Sequence, residues 1–181
     1  MPVRIIVLNG GSSTGKSSLA RCLQSLLPDP WLTFGVDTLM EAMPAALWGS
    51  SGGVVVASDG QITVGPTVRT LEAAWARGVA AIAHAGAPII LDQVFLGGGA
   101  AQERWRIALD GLSVLWVGVK CDPDVATARE ITRGDRMPGM AAAQALLVHA
   151  GVVYDMEVDT THDSPETCAR RIVDRMISMA G

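Results

Sequence analysis

The sequence predicts a three-layer α/β fold: a mainly parallel, five-stranded sheet with helices on both faces and a small inserted β-hairpin. Three observations carry this expectation. Apolar, β-branched runs alternate with segments of helical spacing along the chain, the pattern of strand–helix–strand units joined by right-handed crossovers. The first run, Val3 to Leu8, halts at Asn9-Gly10-Gly11, as a buried strand feeding a glycine-rich turn does. The stretch 45–66 differs in kind: it is rich in Gly and Ser and holds two short β-prone runs around Ser58-Asp59-Gly60, a hairpin signal. At 181 residues the chain has the length of one ordinary α/β domain. Residues 1–181 therefore read as a single domain in which 45–66 is an insertion.

Each element has its own reason. Lys16 to Leu27 places Leu19, Cys22, Leu23, Leu26 and Leu27 at helical spacing, and Pro28 and Pro30 close that helix. Trp31 to Val36 is a second strand. Asp37 then opens a short helix through Met43 that Pro44 ends. Val54 to Ala57 and Gln61 to Val64 are the arms of the hairpin. Thr67 to Ala85 is a long helix ended by Gly86, and Pro88 to Val94 an apolar strand that runs through Phe95-Leu96 into Gly97-Gly98-Gly99. Helix (Ala100 to Leu109), strand (Leu112 to Lys120) and helix (Asp122 to Thr132, capped by Asp122) follow. Arg133 to Met140 interrupts the alternation with Gly, Pro and charge. A short helix (Ala141 to Val148), a last strand (Asp155 to Val158) and a C-terminal helix (Ser164 to Met179) complete the order.

Composition excludes several roles. The formal net charge is −4, the wrong sign for a protein that grips a phosphate backbone, so no nucleic-acid partner is expected. Cys22, Cys121 and Cys168 are odd in number and far apart, which fits reduced packing residues rather than a disulfide framework or a metal pair. His84, His149 and His162 stand apart from any acid or cysteine at ligand spacing. No run reaches the ~18 apolar residues of a bilayer span, and Ile5 to Leu8 is too short for a signal-peptide core; the expected place is the cytoplasm, without a membrane partner. Hydrophobic residues make up 49% and charged residues 18% of the chain. Buried parallel strands absorb much of that apolar content, and the remainder is compatible with a homo-oligomer interface.

The chemistry concentrates at the predicted carboxyl ends of strands, where doubly wound sheets bind ligands. Gly10, Gly11, Ser12, Ser13, Thr14, Gly15, Lys16 and Ser17 fit G-x-x-x-x-G-K-[ST] between a strand and a helix, the context a phosphate-binding loop requires. Backbone N–H groups would converge on phosphate oxygens, Lys16 would add a point charge, Ser17 would ligate Mg²⁺, and Ser18 continues the helix start. The cofactors expected are ATP and Mg²⁺. Asp37 lies past the second strand, where a carboxylate can take a proton from an attacking hydroxyl; it would serve equally as a helix N-cap. Asp92 ends the run Ile89-Ile90-Leu91, as a magnesium-holding acid does, or as a strand-end turn residue does. Gln93 beside it should point to the other face. Arg129, Arg133 and Arg136 flank Gly134-Asp135 and read as a basic lid over 133–140 that neutralises transition-state charge, with Arg129 reaching the nucleotide, or else as a solvated helix face.

With these residues in view, the chain resembles the chloramphenicol phosphotransferase family of P-loop kinases from end to end. The resemblance rests on the phosphate loop, Phe34-Gly35-Val36-Asp37, Asp92-Gln93-Val94-Phe95-Leu96-Gly97-Gly98 and Arg133-Gly134-Asp135-Arg136. Leu8 to Ser13, Arg21 to Ser25, Glu41 to Pro44, Ala101 to Arg106, Leu115 to Val119 and Glu157 to His162 are similar as well. It implies ATP-dependent phosphorylation of a small hydroxylated acceptor, the primary hydroxyl of chloramphenicol, with Asp37 as base and self-resistance as the role. Two departures bear on the acceptor: Gln93 stands where the family pattern has a second acid, and Ala45 to Thr63 agrees least.

Overall fold

The computed structural model describes residues 3–133 and 139–180. Its main sheet consists of β1 (Ile5–Asn9), β2 (Leu32–Gly35), β5 (Ile89–Gln93), β6 (Val114–Lys120) and β7 (Met156–Asp159). Their order is β2-β5-β1-β6-β7 and every pairing is parallel. The helices are α1 (Lys16–Leu26), α2 (Val36–Ala42), α3 (Pro66–His84), α4 (Gly99–Ala108), α5 (Pro123–Arg133), α6 (Met140–Gln144) and α7 (Pro165–Ala180). The expected hairpin is β3 (Val54–Val56) against β4 (Ile62–Val64), antiparallel, with Val55 opposite Thr63.

The alternation of side chains along β1 sorts the core into two halves. Ile6 and Leu8 face Leu19 and Leu23 of α1 and Cys168, Ala169 and Ile172 of α7. Ile5 and Val7 face Val79, Ala80 and Ala83 of α3, together with Phe95 and Leu109. Both faces of β1 are thus covered and all five of its residues are buried, which is why its sequence reads as an unbroken apolar run. A third, smaller cluster belongs to the hairpin: Val54 packs with Met43 and Val68, flanked by Met40, Val56 and Ile62.

Sheet order sets the position of the site. The chain moves outward from β1 to β2, returns to insert β5 between them, and then crosses to β6 on the other side of β1. The reversal at β1 opens a crevice above its carboxyl end, where the glycine-rich turn lies.

Two elements differ in detail from their expected forms. The helix expected over 141–148 is split into α6 and a separate 3-10 turn at Leu147–His149. The helix after β2 begins one residue early, at Val36. Gly35 takes the cap position, its N–H donating to Thr38 Oγ1 at 3.2 Å, so Asp37 sits within the first turn and not at the cap. Asp122 does cap α5, accepting from the N–H groups of Asp124 and Val125. Ile172, fully buried between α7 and the sheet, tests the packing: Ile172→Ala should cost about 2–5 kcal/mol, read as a lower urea midpoint at unchanged m-value.

Candidate active site

The turn after β1 has the backbone of an anion cradle. Gly15 adopts φ 87°, a left-handed conformation that glycine takes without steric cost. Ser13 does the same at φ 58°, unusual for a residue with a side chain. Its Oγ is buried without a hydrogen-bond partner among the described residues. Thr14 Oγ1 donates to Gly11 O at 3.0 Å, and Thr160 Oγ1 donates to Thr14 O at 2.7 Å. The loop is therefore pinned within itself and from the far end of the chain.

Lys16 and Ser17 open α1 directly after the loop. Lys16 is 6% exposed, and its ammonium donates to Gly11 O at 2.7 Å and lies 3.8 Å from Asp92 Oδ1. Ser17 Oγ donates to Asp92 Oδ2 at 2.8 Å. Asp92 is fixed by the parallel register, which sets it opposite Leu8 in β1 and Gly35 in β2. Since Gly35 ends β2 and Asp37 follows two residues on, both carboxylates come to the same edge of the sheet. Gln93, the next residue of β5, is buried and lines the same cavity.

One cavity of about 1490 Å³ joins these groups. Ser12, Ser13, Gly15, Lys16, Ser17 and Ser18 line one end. Asp37, Asp92, Gln93 and Arg133 are in its wall as well. Apolar side chains, Met40, Trp48, Val54, Ile62, Trp75 and Trp105 among them, make up most of the rest, interspersed with Arg21, Glu41, Arg69, Glu72, Arg77 and Arg104. Arg129 is turned elsewhere: it donates to Thr160 O at 2.7 Å and to Cys121 Sγ at 3.4 Å, clamping α5 to the loop after β7. Arg136, with the rest of 134–138, lies outside the described residues.

These residues suit a nucleoside triphosphate with magnesium. The cradle and buried ammonium match a polyphosphate. Among the described residues no group of three His, Cys, Asp or Glu side chains forms a metal cluster. The single Ser17–Asp92 pair suits a cation that draws its remaining ligands from phosphate and water.

Sequence reasoning missed four groups that hold the site in place. Asn9, buried at the end of β1, donates from Nδ2 to Val148 O (2.8 Å) and Tyr154 Oη (2.6 Å) and accepts Phe95 N–H (2.9 Å). It thereby ties the turn after β1 to the turn after β5. Tyr154 Oη, which accepts from Asn9, also lies within hydrogen-bonding distance of His149 Nδ1, at 2.6 Å. Gln144 Oε1 accepts the Ser12 N–H at 2.8 Å. The signal for Gln144 was a single polar residue inside an otherwise apolar run, and for Asn9 a polar residue closing one.

Burial, then the nearby Lys120, pushes the His149 pKa down to about 4, against a partial pull from Glu157. Burial raises the Tyr154 hydroxyl to about 12. Because the folded His149 binds its proton less readily than the unfolded chain does, its contribution is fully present above pH 6.5 and declines as pH falls toward 4. His149→Gln should flatten the acid limb of a stability curve measured between those values. Asn9→Ala should cost about 1–3 kcal/mol for each buried partner left unsatisfied, measured by chemical denaturation.

Comparison with known proteins agrees with this geometry. Residues 3–177 match the family model described as chloramphenicol phosphotransferase-like protein. A Mycobacterium tuberculosis protein, named provisionally as an O-phosphotransferase, is 31% identical over 185 residues, covering 93% of this chain and 80% of its own. Among solved structures, a sugar kinase from Janibacter sp. HTCC2649 superposes with TM-score 0.69 at 18% identity, over 96% of this chain and 94% of that one. The tunicamycin resistance protein of Deinococcus radiodurans gives TM-score 0.67 at 19% identity, over 96% and 95%. At such identities the two structures speak for the fold alone. Among the described residues, no helix is long and apolar enough to cross a membrane. The match across nearly the whole chain, on a parallel sheet with a phosphate loop at its switch point, places the protein in the chloramphenicol phosphotransferase-like family, as a kinase-type phosphotransferase.

Proposed function

We propose that this protein transfers the γ-phosphoryl group of ATP, with Mg²⁺, to a hydroxyl group of a small antibiotic, and that the primary hydroxyl of chloramphenicol is the acceptor. The observation that carries the reading is the convergence of Lys16, Asp92 and Asp37 on one cavity whose remaining wall is largely apolar. An apolar wall suits an aryl-bearing acceptor better than a polyol, which would need many paired polar groups. The tunicamycin resistance protein, also named for an antibiotic, shares the fold and is compatible with this class of acceptor.

When bound, the magnesium nucleotide supplies an activated phosphoryl group with part of its charge neutralised. The chain's own residues do the rest. The loop from Gly10 to Gly15 and the start of α1, with Ser18, hold the phosphates by backbone N–H groups, and Lys16 places a positive charge among them. Ser17 and Asp92, hydrogen-bonded to each other, hold the cation. Asp37, in the first turn of α2, accepts the proton of the acceptor hydroxyl at a carboxylate oxygen and orients that oxygen for attack. Arg133, at the end of α5 and in the cavity wall, offsets charge on the phosphoryl oxygens in flight, a role extended to Arg136. The apolar wall orients the acceptor and excludes the water that would otherwise take the phosphoryl group.

Mass spectrometry of chloramphenicol incubated with the protein and Mg-ATP should show the gain of one phosphoryl group. No gain there, with transfer to a sugar or nucleoside in a parallel panel, would reassign the acceptor. Asp37→Asn should lower kcat by roughly 10²–10⁴-fold, the usual scale of general-base catalysis, with ATP affinity nearly unchanged. Full kcat in that variant would remove Asp37 from the chemistry.

A further inference from the structure

Resting on the phosphotransfer reading above, we infer that Gln144 is a positioning residue that carries the placement of α6, and of the hairpin turn against it, into the phosphate loop. Gln144 is 3% exposed. Its Oε1 is committed to the Ser12 N–H, one of the amides at the end of the cavity where phosphate is expected. The approach is close at the backbone too: a Cβ at Gly11 would lie 3.4 Å from Gln144 Cβ and 3.8 Å from Ala145 N. Little more than a methyl group's width separates the loop from the end of α6, and the side-chain carbonyl bridges the two.

The other end of α6 is held just as firmly. Glu130 of α5, 2% exposed, accepts Gly139 N–H through Oε2 and Ala141 N–H through Oε1, both at 2.8 Å. Against that same peptide lies the turn of the hairpin. A Cβ at Gly60 would sit 2.5 Å from Gly139 C and 2.7 Å from Met140 N, closer than real side chains approach. The hairpin itself packs through Val54 and Ile62 with Met40 and Met43, at the end of the helix that bears Asp37 and just beyond it. A path of direct contacts thus runs from the apolar wall of the cavity, through Gly60 and Gly139, along α6, to Gln144 and Ser12. In a tightly packed interior, a shift at one end of such a path is felt at the other.

The carbonyl of Gln144 is the last link, and removing it leaves the Ser12 amide without its buried acceptor. Gln144→Met keeps an unbranched side chain of similar length and deletes that acceptor. Its binding of the β,γ-imido analogue of ATP with Mg²⁺ should weaken by roughly three- to tenfold, the scale of one lost hydrogen bond. Gly60→Ala, which touches neither Ser12 nor Lys16, should also weaken the analogue. The double variant should bind no worse than Gln144→Met alone, because the two changes act through one path.

Calorimetric titration of the four proteins, with thermal melts to confirm folding, reads all of this. If Gly60→Ala does not fold, Glu130→Gln takes its place as the perturbation of α6 remote from the loop. Unchanged or tighter binding by Gln144→Met overturns the inference, and so does a double variant whose loss is the product of the two single losses. Either result in a wild type that binds the analogue leaves phosphotransfer standing. A wild type that does not bind the analogue overturns both.

Discussion

The parallel register of β2, β5 and β1 governs everything at the site. Leu8, Asp92 and Gly35 stand in one row across the three strands, so Asp92 emerges at the level where the glycine turn begins and where β2 hands over to α2. Strand side chains alternate, and a slip of a single residue would bury Asp92 and present Gln93 to Ser17 and Lys16 instead. What prevents the slip is the two-sided core. Ile89 and Leu91 belong to one face and Ile90 to the other, and each would meet the wrong partners if β5 moved. The geometry of the candidate site is held by aliphatic packing at some distance from the charged groups it aligns.

A second layer of constraint is polar and buried. Asn9 satisfies three groups from three separate turns, and Thr160 and Gln144 reach the glycine-rich loop from the C-terminal part of the chain. Each replaces contacts that the loop backbone would otherwise make with water, which a buried turn cannot do. The loop's unusual dihedrals at Ser13 and Gly15 persist because these neighbours over-determine them.

Much of this was legible in the residues themselves. The glycine-rich turn, the strand before it and the helix after it follow from the run Val3 to Leu8 and the spacing of Leu19, Leu23 and Leu26, since buried parallel strands and amphipathic helices have distinct periods. The hairpin was legible because turn residues at Ser58-Asp59-Gly60 separate two β-prone arms. What the sequence withheld is whatever depends on distant segments meeting. No local pattern indicates that Gln144 meets Ser12, or that Arg129 spends its guanidinium on the Thr160 carbonyl. The start of α2 was hidden for a different reason: glycine can cap with its backbone alone, so Asp37 looked like the better cap than Gly35. Gln93, conspicuous as a departure from the family pattern, is buried and lines the cavity beside Asp92.

The hairpin draws on an apolar cluster of its own, centred on Met43, Val54 and Val68 and separate from the two that sandwich the sheet. The hairpin side of the cavity and the sheet beneath the glycine-rich loop thus owe their cohesion to different side chains. A substitution within the hairpin's cluster therefore acts on packing that the strands and helices beneath the glycine-rich loop do not share.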